Sequence, residues 1–177
     1  MTDTQALDLY GVLTENATLR LQRLLPGPIE RCWEYLTDSE LRRQWLAWGE
    51  MAMAVGSEFE LVWHNDHLAD PPGSRPPEIP ADNRMQSRIT ELDPPRRISF
   101  TWSNSGEVTF ELEPMGDQVL LSVIHRRVPD RSTLLKVSAG WHVHLDVLVA
   151  RLRGTALMPF WEKWRLLQAE YDQRFPA

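Results

Sequence analysis

Residues 98–126, ISFTWSNSGEVTFELEPMGDQVLLSVIHR, alternate between apolar and polar side chains in three successive runs. A period of two is typical of β-strands that bury one face. The segments SNSG and PMGD separate the runs and are short enough for tight turns, which join antiparallel neighbours. The inner face of these strands is predicted to contain Ile98, Phe100, Trp102, Val108, Phe110, Leu112, Val119, Leu121, Val123 and His125. A polar ring, that of His125, therefore stands on an otherwise apolar face.

Further alternating runs precede this stretch. ATLRLQRLL (17–25), SEFELVW (57–63) and RMQSRITEL (84–92) each predict one strand, and MAMAV (51–55) gives a weaker signal. The apolar face of the later two strands is predicted to include Phe59, Leu61, Trp63, Met85 and Ile89. Together the runs predict an antiparallel sheet of about six to seven strands.

Helical spacing occupies the rest of the chain. IERCWEYLTD (29–38) and ELRRQWLAW (40–48) predict two short helices, with Trp45 on the apolar face of the second. A long C-terminal helix is predicted from a stripe of residues that recur at helical spacing, namely Trp141, Leu145, Leu148 and Leu152. Another helix is predicted to begin at Pro159. The fold class is α+β, with the long helix covering the apolar face of the sheet.

The composition is that of one globular domain. The chain has 177 residues, 42% of them hydrophobic and 25% charged, which suffices for a sizeable core. We expect a flexible N-terminal segment at residues 1–16 and a single domain at 17–177. The N-terminus lacks a secretory pattern, no run reaches transmembrane length, and Cys32 is the only cysteine. These features predict a cytoplasmic protein without membrane insertion and without an intramolecular disulfide.

The net charge and the absence of known motifs argue against several classes of function. The net charge is −6 and no basic run occurs, so a nucleic acid is not an expected partner. The chain contains no phosphate-binding loop, nucleophile elbow, HExxH or paired CxxC motif. We therefore predict no catalytic residue, no cofactor and no metal site.

Five segments carry a resemblance to a known family, and their order and spacing are more specific than any one of them. They are LQRLLPGPIERCWEYLTDSELRRQW (21–45), VGSEFELVW (55–63), ITELDPPRRISFTW (89–102), VTFELEP (108–114) and AGWHVHLDVLVARL (139–152). With these segments the chain resembles the Hsp90-ATPase-activator-homologue-like branch of the START-like, or SRPBCC, helix-grip superfamily. Two departures stand out: Ser57 replaces a glycine common in this branch, and the proline-rich loop at 64–82 is expanded. Both lie at the expected cavity mouth, so the resemblance does not supply the ligand.

The resemblance implies a curved antiparallel sheet that grips a long C-terminal helix, with a cavity between them. In this superfamily the cavity commonly takes lipids, sterols, polyketides or aromatic compounds. We therefore predict binding of a hydrophobic or aromatic small molecule. The residues predicted to line its site are Trp45, Phe59, Leu61, Trp63, Met85, Ile89, Phe100, Trp102, Phe110, Leu121, Val123, His125, Trp141, His144, Leu145 and Leu148.

The pair His142 and His144 is interpreted through the helical period. Residues two apart on a helix do not face each other, so the two rings flank the apolar stripe and do not share a metal ion. His142 and Asp146 are four apart and are predicted to form a half-exposed pair. His144, like His125, either has a protein partner or contacts the ligand. Gly140 is predicted to let the helix approach the sheet closely.

Other polar groups have ordinary interpretations. HNDH at 64–67 offers metal-ligand types, but no third ligand is evident, and a solvated loop is predicted. Arg23 shares parity with the inward-facing leucines of its strand, so we expect it to point inward and pair with a carboxylate such as Glu60 or Glu91.

Two other functions remain open. The first is an enzyme of the same fold, a hydrolase, dehydratase or cyclase, that uses a cavity histidine as general acid or base. The second is protein interaction by analogy with chaperone-ATPase activation, which rests on fold alone. An exposed Trp161 on the last helix would favour a partner or a homodimer.

Overall fold

A computed structural model describes residues 7–15, 17–104 and 106–175. Its strands are β1 (Val12–Glu15), β2 (Thr18–Pro26), β3 (Glu58–Trp63), β4 (Asn83–Asp93), β5 (Arg97–Trp102), β6 (Gly106–Met115) and β7 (Gln118–Arg126). Its α-helices are α1 (Ile29–Thr37), α2 (Ser39–Arg42), α3 (Arg131–Arg153) and α4 (Phe160–Arg174). No described helix is both long and apolar enough to cross a membrane.

The strands form one curved antiparallel sheet with the order β1-β2-β7-β6-β5-β4-β3. Register aligns the inward side chains in rows: Phe110 lies opposite Ile98 on one side and Val123 on the other, and Val123 lies opposite Leu21. These four side chains are at most 1% exposed. Alternating residues therefore build one continuous apolar face, as the sequence predicts for residues 98–126.

Helix α3 covers this face, and a capping residue is found at each of its ends. The Asp130 carboxylate accepts a hydrogen bond from the Thr133 amide at 2.7 Å, which caps the N-terminus. Gly154 ends the helix with φ 70°, a left-handed conformation that glycine adopts without strain. Helix α4 packs on α3 through Phe160, Leu167 and Tyr171, which are at most 1% exposed.

Strand β1 was not predicted from the sequence. Residues 12–15 pair with β2 at the edge of the sheet, and their side chains are mostly exposed. Backbone hydrogen bonds hold this strand, so it has no apolar alternation that would reveal it. Residues 1–6 and 16 of the segment expected to be flexible lie outside the described residues. MAMAV, the weaker strand signal, forms no strand.

The second helix is shorter than predicted and ends at Arg42. The Arg42 side chain is fully buried, and its guanidinium donates to the backbone carbonyls of Leu36, Thr37, Ala47 and Gly49. These bonds hold residues 43–49 in turns around the guanidinium instead of in a helix. The turns still bury Trp45, whose indole nitrogen donates to the Tyr35 carbonyl at 2.8 Å.

Trp161 is not exposed, so it does not mark an interaction surface on α4. Trp161 is 2% exposed, and its indole nitrogen donates to Asp66 Oδ1 at 2.6 Å. The proline-rich loop covers this part of α4, because the Trp161 amide also donates to the Pro72 carbonyl. A helical wheel of α4 shows only the residues of that helix, so it does not predict a contact with the proline-rich loop.

Candidate functional site

A pocket of about 320 Å³ opens between α3 and the ends of β3, β4 and β5. Its volume falls within the range of about 300–1,000 Å³ that is usual for small-molecule sites. The lining consists of Leu46, Trp63, Asn65, Asn83, Arg84, Met85, Trp102, Ser103, Lys136, Val137, Gly140, Trp141 and His144. The pocket is thus where the helix-grip resemblance places a cavity.

Three tryptophans form the apolar wall of the pocket. The Trp102 ring lies 5.6 Å from the Trp63 ring, nearly perpendicular to it, and 5.3 Å from the Trp141 ring. Trp63 and Trp141 are 8% and 3% exposed, whereas Trp102 is more open to solvent. Large indole surfaces that border open space offer planar contact area to an apolar or aromatic molecule.

His125 lies behind this wall. Its Nδ1 accepts a hydrogen bond from Trp141 Nε1–H at 3.0 Å, so the imidazole holds the indole in place. Burial lowers the pKa of His125 to about 4, and the ring is neutral at neutral pH. The bond requires an unprotonated Nδ1, which assigns the remaining proton to Nε2. Of the two roles that the sequence left open for His125, the protein-partner role is the one observed.

His144 lines the pocket from α3. Its Nδ1 lies 2.8 Å from the Trp45 carbonyl oxygen, which only accepts, so Nδ1 carries the proton. Burial lowers the pKa of His144 to about 4, against the opposing effect of the Trp45 hydrogen bond. Its Nε2 is therefore an unprotonated acceptor at neutral pH.

Gly140 does not have the close-packing role that the sequence suggested. A Cβ placed on Gly140 would meet no atom within 4 Å, and the residue lines the pocket. Trp141 and Leu145 carry the packing against the sheet, whereas Gly140 lies on the adjoining part of the helix surface. The missing side chain therefore leaves space in the pocket.

The charged residues that line the pocket are all cationic. Two lining residues, Arg84 and Lys136, are cationic, and none of the described lining residues is acidic. Arg84 pairs with Glu60 at 2.9 Å, whereas no ion pair is found for Lys136 among the described residues. The pocket thus combines an aromatic wall with a lysine that makes no ion pair among the described residues.

The structure divides the sixteen residues predicted to line the ligand site into two groups. Those at the pocket are Trp63, Met85, Trp102, Trp141 and His144. Those packed in the core away from it are Trp45, Phe59, Leu61, Ile89, Phe100, Phe110, Leu121, Val123, His125, Leu145 and Leu148. Aromatic rings fill the middle of the helix grip, for example Phe110, which contacts Phe100, Trp45 and Trp141 at centroid distances of 5.5–6.1 Å. Ligand binding by either group stays a prediction.

Sequence reasoning missed the polar rim of the pocket. The lining residues on α3 are Lys136, Val137, Gly140, Trp141 and His144. Trp141 and His144 were predicted, and a helical wheel extended beyond the apolar stripe would also have found Lys136, Val137 and Gly140, which lie on the same face. Asn65 and Asn83 lie beside strand ends and carry no comparable signal.

A second polar cluster lies on the opposite side of α3. The Tyr171 hydroxyl is 2.9 Å from His142 Nδ1, and His142 Nε2 is 3.5 Å from Asp146. Asp146 also pairs with Arg23 at 3.1 Å and with Lys163 at 3.4 Å. Tyr171 accepts from the Gly11 amide, and burial raises its pKa to about 12.

This cluster corrects two predictions. His142 contacts Asp146 but is 4% exposed, because Tyr10 and Tyr171 cover its ring. Arg23 is buried as expected, yet its carboxylate partner is Asp146 on α3 and not Glu60 or Glu91. A pocket of about 430 Å³ borders Arg23, Asp146 and Lys163, and these charges pair with one another.

The HNDH segment forms a single 3₁₀ turn at Asn65–His67. His64 Nδ1 lies 2.6 Å from Asp82, and Asp66 binds Arg75 and Trp161. These side chains are therefore engaged with protein groups. Among the residues that the structure describes, no group of three or more His, Cys, Asp or Glu is arranged to hold a metal ion.

Comparison with known proteins supports the helix-grip fold. The family model described as "Activator of Hsp90 ATPase homolog 1-like protein" matches residues 26–153. The protein encoded by gene BPP1335 from Bordetella parapertussis, solved by NMR, is 35% identical with a TM-score of 0.79, covering 96% of this chain and 92% of that chain. None of the curated proteins matches the chain.

More distant structures share the fold. The crystal structure of CalU16 from Micromonospora echinospora has a TM-score of 0.65 at 20% identity, covering 88% of this chain and 86% of its own. A conserved protein of unknown function from Enterococcus faecalis, EF2215, has a TM-score of 0.62 at 17% identity, covering 92% and 90%. With its helix-grip fold and a family match over most of its length, the chain belongs to the Activator of Hsp90 ATPase homolog 1-like protein family.

Proposed function

We propose that the protein binds a hydrophobic or aromatic small molecule in the pocket between α3 and the sheet. The observation that carries this proposal is the arrangement of Trp63, Trp102 and Trp141 around about 320 Å³ of open space. Burial of apolar ligand surface against these rings supplies the binding free energy, at about 25 cal/mol per Å². The fold supports this function, since helix-grip proteins of this kind commonly bind small hydrophobic ligands.

Binding is favoured over catalysis by the surroundings of the two histidines. Burial lowers the pKa of both His125 and His144, and the hydrogen bond to the Trp45 carbonyl opposes this effect at His144. A general acid–base pair would place a second titratable group within hydrogen-bond reach of the imidazole. The partners of these rings are instead an indole and a backbone carbonyl.

Tryptophan fluorescence tests the proposal directly. The neutral aromatic probe N-phenyl-1-naphthylamine should quench the emission of the wild-type protein saturably, because the three indoles border its site. Gly140→Leu should weaken this binding at least tenfold, since the added side chain extends into pocket space where a Cβ on Gly140 meets no atom within 4 Å.

The matched control is Ala169→Leu, which adds the same side chain at an exposed position of α4, away from the pocket. This variant should bind the probe like the wild type. Absence of saturable quenching, or equal binding by the Gly140→Leu protein, would remove the proposal.

A further inference from the structure

We infer that the ligand of this pocket is an aromatic molecule with an acidic group, which Lys136 binds. This inference rests on the proposed function and specifies its ligand class. A carboxylate and a sulfonate satisfy the same chemistry, because each presents a negative charge to an ammonium group.

The charges at the mouth of the pocket favour such a ligand. The described lining has two cations and no carboxylate, although the whole protein carries a net charge of −6. Glu60 neutralises Arg84, whereas Lys136 is exposed and makes no ion pair among the described residues. A positive charge beside an aromatic wall favours an anionic ligand over a neutral one of equal shape.

The pocket beside α4 provides the contrast. Arg23 and Lys163 border that pocket too, but both contact the carboxylate of Asp146, with N–O distances of 3.1 and 3.4 Å. Its cations are thus engaged within the protein. Lys136 makes no such ion pair among the described residues, and Asp130, the carboxylate whose pKa it helps to lower, does not line the pocket. In the pocket between α3 and the sheet, a ligand anion can therefore contact this ammonium group.

Two fluorescent probes with one skeleton test the charge. N-Phenyl-1-naphthylamine is neutral, and 8-anilinonaphthalene-1-sulfonate adds a sulfonate to the same rings. At low ionic strength the sulfonate should bind about fivefold more tightly, as expected for one solvent-exposed ion pair. Lys136→Gln should bring the ratio of the two affinities to about one. Arg165→Gln, which removes a charge from an exposed position of α4, should leave both affinities unchanged.

Different results would contradict the inference and the proposed function. If the neutral probe binds as tightly as the sulfonate and Lys136→Gln changes nothing, the acidic ligand class is wrong and small-molecule binding stands. If neither probe binds, both proposals fail. If sulfonate binding survives in Gly140→Leu, that probe occupies another site, and the inference is overturned.

Discussion

The Trp141 indole donates its Nε1–H to Nδ1 of His125 across 3.0 Å, and this bond joins α3 to β7 inside the core. Both side chains are at most 3% exposed. His125→Leu would leave the indole N–H buried without an acceptor, so we expect a loss of unfolding free energy of about 1–3 kcal/mol. Urea denaturation monitored by circular dichroism measures it.

A double-mutant cycle provides the control for this bond. Trp141→Phe removes the donor, so His125→Leu should cost less in that background than in the wild type. Equal costs in both backgrounds would show that the hydrogen bond does not contribute to stability.

Three buried histidines predict a dependence of stability on pH. Burial lowers the pKa values of His125, His142 and His144 from 6.5 to about 4. Below pH 6.5 the unfolded chain binds protons that the folded protein does not, so stability is complete above pH 6.5 and falls as the pH decreases toward 4. Each histidine contributes a slope of up to about 1.4 kcal/mol per pH unit.

Denaturation at pH 7, 6 and 5 checks this slope. His144→Asn should reduce the slope relative to the wild type, because it removes one of the three buried imidazoles. A constant unfolding free energy between pH 7 and 5 would contradict the prediction.

Asp146 is predicted to be essential for stability because it compensates buried Arg23. Asp146→Ala would leave the guanidinium without its carboxylate, at a cost of about 3–5 kcal/mol. The double variant Arg23→Leu/Asp146→Leu removes both charges and should be more stable than Asp146→Ala. Thermal unfolding compares the two proteins, and a less stable double variant would contradict the role assigned to the ion pair.

Gly140→Ala is expected to stabilise the protein by about 0.5–1 kcal/mol, since alanine has the higher helix propensity and its Cβ meets no atom within 4 Å. Gly106→Ala is the opposite case, because its Cβ would lie 2.8 Å from the Trp102 carbonyl oxygen. A shift to higher melting temperature for the first and to lower for the second is the expected pattern. A destabilised Gly140→Ala protein would restore the close-packing role that the sequence suggested.

The sequence predicted the sheet well wherever burial produces alternation. Strands β5, β6 and β7 coincide with the three runs of residues 98–126, and α3 carries the predicted stripe. Strand β1 went unpredicted because backbone pairing at an exposed edge leaves no pattern. Arg42 ends α2 because its guanidinium binds the carbonyls of Ala47 and Gly49, which follow it in the chain. Helix propensity does not predict such contacts.

The site was less predictable for a geometric reason. Parity and helical spacing tell which side chains point inward, but not how much of the interior they fill. Phe110 and Trp45 point inward and pack against each other, whereas Trp102 points inward and borders open space. The same is true of Gly140, because the helical period predicts that this residue faces the sheet but does not predict the distance between the helix and the sheet. The partner of Arg23 likewise depends on how α3 crosses β2.

The bond between His144 Nδ1 and the Trp45 carbonyl has a consequence for the speed of ligand exchange. Trp45 is held at two points, since its indole also binds the Tyr35 carbonyl, so the neighbouring Leu46, which lines the pocket, is anchored to α3. We therefore expect a ligand to enter on the side of Asn65, which belongs to the proline-rich loop. Shortening that loop should change association and dissociation rates together, with little effect on affinity.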